Sequence, residues 1–513
     1  ADGYARATGK VGVALATSGP GATNLVTGIV NAFMDSAPVV FITGQVVSPL
    51  IGYDAFQETD VTGITLPVTK HNYLISDVND IAPAIREAFF IAKSGRPGPV
   101  LIDITKDAQQ AEIEWEYDES PAHLPGYRPD LRPENSDLQR ALEMIHSAKK
   151  PLILAGHGIL ISNASNEVLE YAERTQTPVA STLLGLGAFP GNHSLSLGMM
   201  GMHGEAWVNQ AIQESDLLLA FGMRFDDRVT GKIAKFAPNA RKIHIEIDPS
   251  EINKNVQVDI ALVGDLKETL QKLLPFVKPA DHSDWLAQVD ALKGNCAVRD
   301  INNLPDNGHL YAAHVINDLW RETKGEAIIV SDVGQNQMWT AQYYRHDQPN
   351  TSITSGGLGT MGFGLPAGIG AKFGKPDKEV WVIAGDGGIQ MTQAELSTIA
   401  QEGIKINIAI LNNGYLGMVR QWQEFFYDKR YSATPMKGPD FVKIAEAHGL
   451  TGLRVTSRDQ VADAIHQARQ NPGTVLIDFK VEKEDSVYPM VPTGAAIDAM
   501  IRRPLPQTEE ITQ

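Results

Sequence analysis

Two polar clusters in the last third of the sequence have the composition of a metal and phosphate site. The apolar run at residues 379–385 is followed by Asp386, and the run at 406–411 by Asn412 and Asn413. If both runs are parallel strands, their carboxyl ends lie at one edge of a sheet, which is where open α/β sheets bind ligands. A carboxylate, an amide oxygen and a backbone carbonyl suit Mg²⁺, which takes its remaining ligands from phosphate.

Glycines surround the first of these clusters. Gly385, Gly387 and Gly388 flank Asp386 and would let the backbone approach a phosphate group at the start of the following helix. A Gly-Asp-Gly turn by itself fits a structural turn equally well, since glycine is above all a turn residue. The recurrence of polar residues after two consecutive strands is the more specific signal.

The elements that must position these clusters alternate between short apolar strands and longer amphipathic helices. Three blocks of this pattern occur, separated by polar stretches that contain proline. Such alternation predicts α/β domains with doubly wound parallel sheets. The predicted strands cover residues 12–18, 38–44 and 98–104 in the first block, 151–156, 216–222 and 242–248 in the second, and 326–334, 379–387, 406–413 and 473–481 in the third.

Composition excludes several classes of protein. The 513 residues carry a formal net charge of −17, without the basic footprint of a nucleic-acid-binding protein. No run approaches the apolar length needed to span a bilayer. The single cysteine, Cys296, excludes an intrachain disulfide framework and indicates a reducing compartment. Because Ala1 falls inside a predicted helix, we expect a chain without its native N-terminus, and a lost targeting segment stays open.

The paired clusters resemble the cofactor motif of the thiamine-diphosphate (ThDP) enzyme superfamily. In that motif an Asp, the second Asn and a main-chain carbonyl two residues later bind the metal, which corresponds to Asp386, Asn413 and Tyr415 here. Residues 332–339 resemble the family's phosphate-contacting turn, and residues 355–366 the segment beneath the thiazolium ring. The resemblance assigns ThDP contacts to Pro20, Asn24, Gly334, Gln335, Asn336, Gly359, Met361, Gly385, Asp386, Gly387, Gly388, Gly417 and Met418.

Further segments are similar to one family, the biosynthetic acetohydroxyacid synthases (acetolactate synthases, catalytic large subunit), over essentially the whole chain. The similar segments are residues 18–24, 54–58, 95–100, 106–107, 224–231 and 417–422. The resemblance implies three ThDP-type domains, of which the first is incomplete. They are a pyrimidine-binding domain at 1–113, a linker at 114–135, a central FAD-binding domain at 136–276, a linker at 277–308, a diphosphate- and Mg²⁺-binding domain at 309–485 and a tail at 486–513.

The resemblance also implies roles for individual side chains. Arg228 receives the carboxylate of the second keto acid, which suits a guanidinium fork, and Trp422 favours the larger acceptor. Met361 wedges ThDP into a bent shape. Without the resemblance, Arg228 fits a surface ion pair with a neighbouring aspartate, Trp422 a helix-face aromatic and Met361 a core residue. The other residues assigned to the active site are Phe56, Gln57 and Lys106.

The second block resembles the FAD-binding domain of the family, in which FAD is structural. Gly156-His157-Gly158 follows a strand but does not complete the GxGxxG pattern, so a structural turn remains the alternative. The residues that the resemblance assigns to FAD are Arg96, Gly156, His157, Gly158, Thr182, Leu183, Gly201, Met202, His203, Gly222, Arg224, Asp226, Glu246, Ile247, Asp265, Gln337, Met338 and Gly356.

The activity implied by the resemblance joins two 2-keto acids. Pyruvate is decarboxylated on ThDP, and the hydroxyethyl carbanion is transferred to pyruvate or 2-ketobutyrate. The products, 2-acetolactate and 2-aceto-2-hydroxybutyrate, feed valine, leucine and isoleucine synthesis. A homodimer or tetramer is implied, with a small regulatory subunit in some bacterial members. We expect a bacterial cytoplasmic enzyme with no nucleic-acid or membrane partner.

One element of the family's chemistry lies outside these residues. The glutamate that acts against the pyrimidine ring stands several residues before the position of Ala1, and Asp2 does not replace it. We therefore expect the 513 residues alone to be nearly inactive. The alternatives are a non-catalytic homologue that acts as a binding or regulatory subunit, or another ThDP enzyme such as a pyruvate oxidase or glyoxylate carboligase. A nicotinamide oxidoreductase would leave the Asp386 and Asn413 clusters unexplained.

Overall fold

The computed structural model of the chain describes residues 1–114, 120, 122 and 124–505. The strands of this part of the chain form one four-stranded and two six-stranded sheets, and every pair of neighbouring strands is parallel. The predicted α/β class with three parallel sheets is confirmed. Parallel sheets covered on both faces need continuous apolar strands, and the central strands have that composition.

The first sheet has the strand order β1-β2-β4-β3. Its strands are β1 (Gly12–Ala16), β2 (Val39–Gln45), β3 (His71–Ile75) and β4 (Val100–Thr105). The accompanying helices are α1 (Asp2–Thr8), α2 (Pro20–Asn24), α3 (Val26–Met34), α4 (Val61–Thr65), α5 (Ile81–Lys93) and α6 (Lys106–Gln110). Strand β4 is buried along its whole length, whereas the edge strand β1 leaves Leu15 76% exposed.

The central sheet has the order β10-β9-β8-β5-β6-β7. Its strands are β5 (Pro151–Ala155), β6 (Val179–Ser181), β7 (Ser196–Met199), β8 (Leu217–Phe221), β9 (Arg241–Glu246) and β10 (Ile260–Val263). The helices are α7 (Asn135–Ser147), α8 (His157–Ile161), α9 (Ser165–Thr175), α10 (Ala206–Glu214), α11 (Asp227–Thr230), α12 (Leu266–Leu273) and α13 (Ser283–Ala297).

The third sheet has the order β12-β11-β13-β14-β16-β15. Its strands are β11 (Ile328–Ser331), β12 (Ser352–Thr354), β13 (Val380–Gly385), β14 (Asn407–Asn412), β15 (Thr451–Val455) and β16 (Val475–Lys480). The helices are α14 (Ala312–Thr323), α15 (Gln335–Tyr343), α16 (Gly364–Gly374), α17 (Asp386–Thr392), α18 (Leu396–Glu402), α19 (Gly417–Phe426), α20 (Phe441–Ala447) and α21 (Val461–Gln470).

The structure differs from the sequence prediction in two places. Six short strands were not predicted: β3, β6, β7, β10, β12 and β15. The segment predicted as a linker at 277–308 contains α13, which buries Trp285 and Val289. The indole N–H of Trp285 donates to the Pro151 carbonyl at 3.0 Å. The described residues of the predicted tail, 486–505, contain no helix or strand. The domain boundaries themselves stay a prediction, and part of the first linker lies outside the described residues.

The chain forms two compact units, which do not follow the three sheets. The first unit comprises Ala1–Asp130 with Ser355–Thr360 and Pro366–Lys378, and therefore includes most of α16. The second unit contains the central and third sheets. No helix of the described part is long and apolar enough to cross a membrane.

Within the first unit, α1 and α16 cross with their backbones in contact. A Cβ atom at Gly3 would lie 2.0 Å from the carbonyl oxygen of Ala367, and one at Gly370 would lie 3.0 Å from the amide nitrogen of Tyr4. The distance at Gly3 excludes a side chain, because non-bonded atoms pack at about 3.5 Å, and the distance at Gly370 would require its neighbour to shift by a few tenths of an ångström. The crossing therefore requires glycine at position 3 and is tight at position 370.

We predict that Gly3→Ala lowers the melting temperature of the protein, since overpacking of this kind costs about 1–3 kcal/mol. Gly28→Ala is the matched control, because Gly28 lies inside α3 with no atom near the position of its missing Cβ. Alanine there is expected to be neutral or to stabilise the helix by up to about 1 kcal/mol. Thermal melting of both variants measures the difference, and equal melting temperatures would contradict the close crossing.

Candidate active site

The two polar clusters lie at neighbouring strand ends in the second unit. Strands β13 and β14 pair in parallel with Gly385 opposite Leu411, so Asp386 follows β13 beside the end of β14. Asp386 is 2% exposed. Burial raises the pKa of its carboxyl group to about 6, although its own backbone N–H, the charge of Lys480 and the N–H of Gly414 act in the opposite direction. Because burial makes the ionised form of this carboxyl group unfavourable, a cation beside it would be a favourable partner.

Asn413 directly precedes Gly414, whose N–H binds the Asp386 carboxyl group, and is held by two hydrogen bonds. Its side-chain oxygen accepts the N–H of Tyr415 at 3.0 Å, and its side-chain nitrogen donates to Gln335 at 3.2 Å. An amide oxygen has a second lone pair, which could bind a cation. The structure thus brings the three predicted metal ligands together after β13 and β14. Among the described residues no group of three His, Cys, Asp or Glu side chains forms an alternative metal site.

Glycines keep side chains away from the backbone at this edge. A Cβ at Gly417 would lie 2.1 Å from the side-chain oxygen of Gln335, and one at Gly387 would lie 2.8 Å from Leu416. The same Cβ at Gly387 would lie 3.7 Å from the methyl group of Met361. The predicted ThDP residues Gly387, Gly417, Gln335 and Met361 are therefore neighbours, and their backbone could contact a diphosphate closely.

The turn before α15 contributes a row of buried amides. Gly334 has a φ of 140°, which only glycine adopts readily. Gln335 donates to Gln421 at 2.9 Å, Asn336 to the Asp332 carbonyl at 2.7 Å and Gln337 to Thr354 at 2.7 Å. These hydrogen bonds fix the turn that the sequence predicts to contact the phosphates.

Asp332 also belongs to this turn, and its structural role was not predicted. It is fully buried, and its carboxylate accepts the N–H of Val333 at 2.6 Å and of Gly362 at 2.9 Å. Burial raises its pKa to about 6, and backbone N–H groups of residues 362–364 limit the shift. Asp332 therefore fixes the residues that follow Met361. The available signal was an acidic residue at the end of an apolar strand.

Arg420 on α19 is the second residue without a predicted role. Its buried guanidinium lies between the rings of Tyr415 and Tyr431, with ring centroids at 5.1 and 4.7 Å. It also pairs with Glu424 at 3.2 Å and with Glu484. Cation–π contacts of this kind strengthen when solvent is excluded. Arg420 thereby ties the segment of the predicted metal ligand Tyr415 to α19.

The two predicted acceptor residues both belong to the second unit. Trp422 on α19 stacks at a tilt on Phe426, with centroids 5.1 Å apart. The side chain of Arg228 is 59% exposed and lies 3.7 Å from the carboxylate of Asp227, which makes that ion pair weak. Asp226 instead caps α11 by accepting the N–H of Arg228.

A small pocket forms around Arg228. It is lined by the Arg228 region and by the tail of the chain: Met202, Asp227, Arg228, Gly231, Val491, Pro492, Thr493, Gly494 and Ile497. A backbone bridge between Gly231 and Ala496 holds the tail against this region. The guanidinium therefore faces a concave surface in which a carboxylate could bind.

The predicted FAD residues of the central domain gather at one edge of its sheet. At least one of them stands at the end of, or shortly after, each of the six strands: Gly156, Thr182, Gly201, Gly222, Glu246 and Asp265. Ligands of parallel sheets bind at this edge. Several also have structural roles, since Thr182 and Asp265 cap helices. Burial lowers the pKa of His203 to about 4, so this residue is neutral near pH 7.

The Gly-His-Gly turn has a steric explanation of its own. A Cβ at Gly156 would lie 2.2 Å from the carbonyl oxygen of Gly222, and one at Gly158 would lie 2.6 Å from its Cα. The turns after β5 and β8 therefore touch, and glycine is needed whether or not a cofactor binds. The remaining predicted FAD residues near this edge are His157, Leu183, Met202, Arg224 and Ile247, while Gln337 and Met338 belong to α15.

Of the other predicted site residues, Gly388 and Met418 lie in α17 and α19 of the second unit, and the first unit holds the rest. Pro20 and Asn24 form the two ends of α2, and Lys106 begins α6 with an exposed side chain. Phe56 is 89% exposed, and Gln57 has a φ of 62° and packs against Gly19. Arg96 donates to Ser36 at 2.9 Å, and Gly356 and Gly359 lie in the segment at 355–360.

Comparison with known proteins agrees with this arrangement. The sequence models of the thiamine pyrophosphate enzymes match as an N-terminal TPP binding domain at residues 1–64, a central domain at 138–273 and a C-terminal TPP binding domain at 332–479. The acetolactate synthase large subunit of Corynebacterium glutamicum is 49% identical over 97% of this chain and 80% of its own length. The chain belongs to the acetolactate synthase family.

Other members of the family are nearly as similar. The acetolactate synthase of Mycobacterium leprae is 48% identical over 97% of the chain and 81% of its own length. The chloroplastic acetolactate synthase 2 of Nicotiana tabacum is 46% identical over 98% of the chain and 77% of its own length. The predicted family and its dependence on thiamine diphosphate are thus confirmed, and the Asp386 edge lies within the matched C-terminal TPP binding domain.

We predict that Asp386→Asn stabilises the cofactor-free protein at high pH. The native pKa of about 6 exceeds the ordinary value of 3.8, so the carboxyl group reduces stability progressively as pH rises from about 4 to about 6. At pH 8 the variant should unfold at a higher temperature, by about 1–3 kcal/mol of stability, with a smaller gain at pH 5.

Thermal melting in the presence of a chelator measures this effect. Asp377→Asn, which removes an exposed carboxylate, is the control and should show no gain. A variant that is less stable than wild type at pH 8 would show that the burial of Asp386 is already compensated within the protein.

Proposed function

We propose that the chain is the catalytic subunit of an acetohydroxyacid synthase that makes both 2-acetolactate and 2-aceto-2-hydroxybutyrate for the synthesis of valine, leucine and isoleucine. The observation that carries the proposal is the buried Asp386 beside Asn413 at neighbouring strand ends, in a chain 46–49% identical to acetolactate synthases. The substrates are pyruvate, as donor and acceptor, and 2-ketobutyrate, as a second acceptor.

The residues at this edge fit ThDP and Mg²⁺. Asp386, the side-chain oxygen of Asn413 and the main-chain oxygen of Tyr415 would bind the metal, and the glycine backbone would bind the diphosphate. When bound, ThDP would supply a nucleophilic carbon that adds to the carbonyl of pyruvate and an electron sink for the pair left when carbon dioxide departs. A cation beside Asp386 would also offset the cost of burying its carboxylate, which is what raises the pKa of this group.

FAD fits the central sheet as a structural cofactor. The support is the placement of its predicted residues after all six strands of one sheet. Glu246 offers a carboxylate at the end of β9, where it accepts the N–H groups of Ile247 and Asp248. In dinucleotide sites an acidic residue in such a place binds a ribose hydroxyl.

The assembly proposed is a homodimer or tetramer, with a small regulatory subunit as a possible further partner. Exposed apolar side chains in the first unit support self-association, among them Val13 and Leu15 of β1 and Leu66. The name "large subunit" of the Corynebacterium relative supports a smaller partner. Bacterial relatives and the single cysteine support a bacterial cytoplasmic location.

We predict that formation of 2-acetolactate from pyruvate, with ThDP, Mg²⁺ and FAD supplied, requires the family's glutamate, which the resemblance places before Ala1. The carboxylate of Asp2 cannot replace it, because Asp2 pairs with Arg6 and accepts a hydrogen bond from Asn31. The assay compares the 513 residues with a chain extended upstream to include that glutamate, and follows products by NMR.

Activity in the extended chain alone is the expected result, and comparable turnover by the shorter chain would contradict the need for the glutamate. Acetate as the product would favour a pyruvate oxidase, and turnover only with glyoxylate a carboligase of that substrate. If both chains bind ThDP and neither reacts, the chain is a non-catalytic homologue or acts on a different keto acid.

Substitutions at the acceptor residues should separate binding from selectivity. We predict that Arg228→Ala lowers kcat/KM for the acceptor by about 10²-fold or more, because a bound carboxylate loses its charged partner. Trp422→Leu should reduce the preference for 2-ketobutyrate over pyruvate by about fivefold, the value of one methyl contact. Lys235→Ala, a basic residue near Arg228 in sequence but outside the pocket lining, is the control. A uniform fall in both acceptors for Trp422→Leu would contradict a selectivity role.

A further inference from the structure

A buried carboxylate at the end of α3 binds two consecutive backbone amides of a distant segment. Asp35 is 1% exposed. One of its oxygens accepts the N–H of Gly356 at 2.9 Å, and the other accepts the N–H of Gly357 at 2.6 Å. All three residues belong to the first unit, and more than 300 residues separate them in sequence. The bidentate geometry fixes both the position and the orientation of the turn at residues 355–360.

Asp35 is itself held by a buried ion pair. Arg6 donates to Asp35 at 2.9 Å and to Asp2 at 2.5 Å. Burial alone would lower the pKa of Arg6, but the two carboxylates more than offset it and raise that pKa. Arg6 therefore stays charged, and its guanidinium holds the carboxylate that binds the amides of the turn.

Asn31, which lies one helical turn before Asp35, binds the first and the last residue of the segment at 355–360. Its side-chain oxygen accepts from Ser355 at 2.6 Å and from Thr360 at 3.2 Å, and its nitrogen donates to Asp2 at 2.9 Å. The hydroxyl of Ser355 in turn accepts the N–H of Thr360 at 2.9 Å. The network thus closes around residues 355–360 from their first residue to their last.

Steric contacts also restrict which residue can occupy position 357. A Cβ at Gly357 would lie 2.8 Å from an oxygen of Asp35 and 3.0 Å from the Cβ of Met34. Glycine at 357 is therefore required for the turn to approach the carboxylate.

We propose that Asp35 is a positioning residue that holds the turn at 355–360 in the shape needed to bind ThDP. The inference rests on the proposed function, in which Gly359 and the adjoining Met361 contact ThDP and Gly356 contacts FAD. Asp35 itself touches neither cofactor and acts through the backbone of the turn. An ion pair that merely stabilised the first unit would not influence cofactor affinity.

The test measures hydrogen exchange at residues 355–360 and ThDP affinity in the same variants of the full-length holoenzyme. Asp35→Asn replaces one accepting oxygen with an N–H₂ group that faces a backbone N–H. Exchange of the amides of the turn should become about tenfold faster or more, with α3 and α5 unchanged, and the dissociation constant of ThDP should rise about tenfold. The kcat at saturating ThDP should change much less.

Ser355→Ala keeps the test valid if Asp35→Asn does not fold, because it removes only a hydroxyl group of the network. It should show the same pattern to a smaller extent. Asp77→Asn is the matched control, since Asp77 is an exposed carboxylate of the first unit that accepts the N–H of Asn79. It should leave exchange of the turn and ThDP affinity unchanged.

Faster exchange of the turn with unchanged ThDP affinity would overturn the proposal and leave Asp35 a structural residue. Unchanged exchange would overturn it as well. Failure of the proposed function gives a different result, because wild-type protein would then form no 2-acetolactate from pyruvate, whatever the effect of the substitutions on exchange of the turn and on ThDP affinity.

Discussion

A carboxylate removed from water must find hydrogen-bond donors or a cation, and this requirement shapes the site of the protein. Asp35 and Asp332 satisfy it with backbone N–H groups of two parts of one glycine-rich segment, at residues 356–357 and 362–364. Asp386 accepts its own backbone N–H and that of Gly414, yet burial raises the pKa of its carboxyl group to about 6, as it does for Asp332. The carboxylates of Asp35 and Asp332 thus fix backbone, whereas that of Asp386 stands at the strand end where the sequence predicts a cation.

The fold could be predicted from the sequence where strands are buried on both faces. Strands such as β4, β8 and β14 are runs of five or six mostly apolar residues, and their pattern indicates a parallel sheet directly. The missed strands have three to five residues, and several lie at or near sheet edges, where one face is exposed and the apolar run is interrupted. Helix α13 was missed because it buries only Trp285 and Val289, which is too little periodicity to distinguish a helix from a polar linker.

The candidate site shows the same division between local and distant information. Asp386 and Asn413 could be placed side by side, because consecutive strands that each end in polar residues meet when the strands are neighbours. The contributions of Asp35 and Arg420 could not be predicted, since they arise from contacts between segments that the chain brings together only on folding. Sequence alone also does not distinguish a glycine required for close packing from one required for ligand binding. Gly156 is an example, because it touches the turn after β8 whether or not a ligand binds.

The close crossing of α1 and α16 constrains the spacing of residues in α16 as well as its composition. Gly3 faces backbone atoms of Ala367, and Gly370, one helical turn later, faces backbone atoms of Gly3 and Tyr4. An insertion or deletion of a single residue between positions 367 and 370 would rotate the following residues by about 100° and bring a side chain to the point of contact. The crossing therefore excludes changes in length that surface loops tolerate.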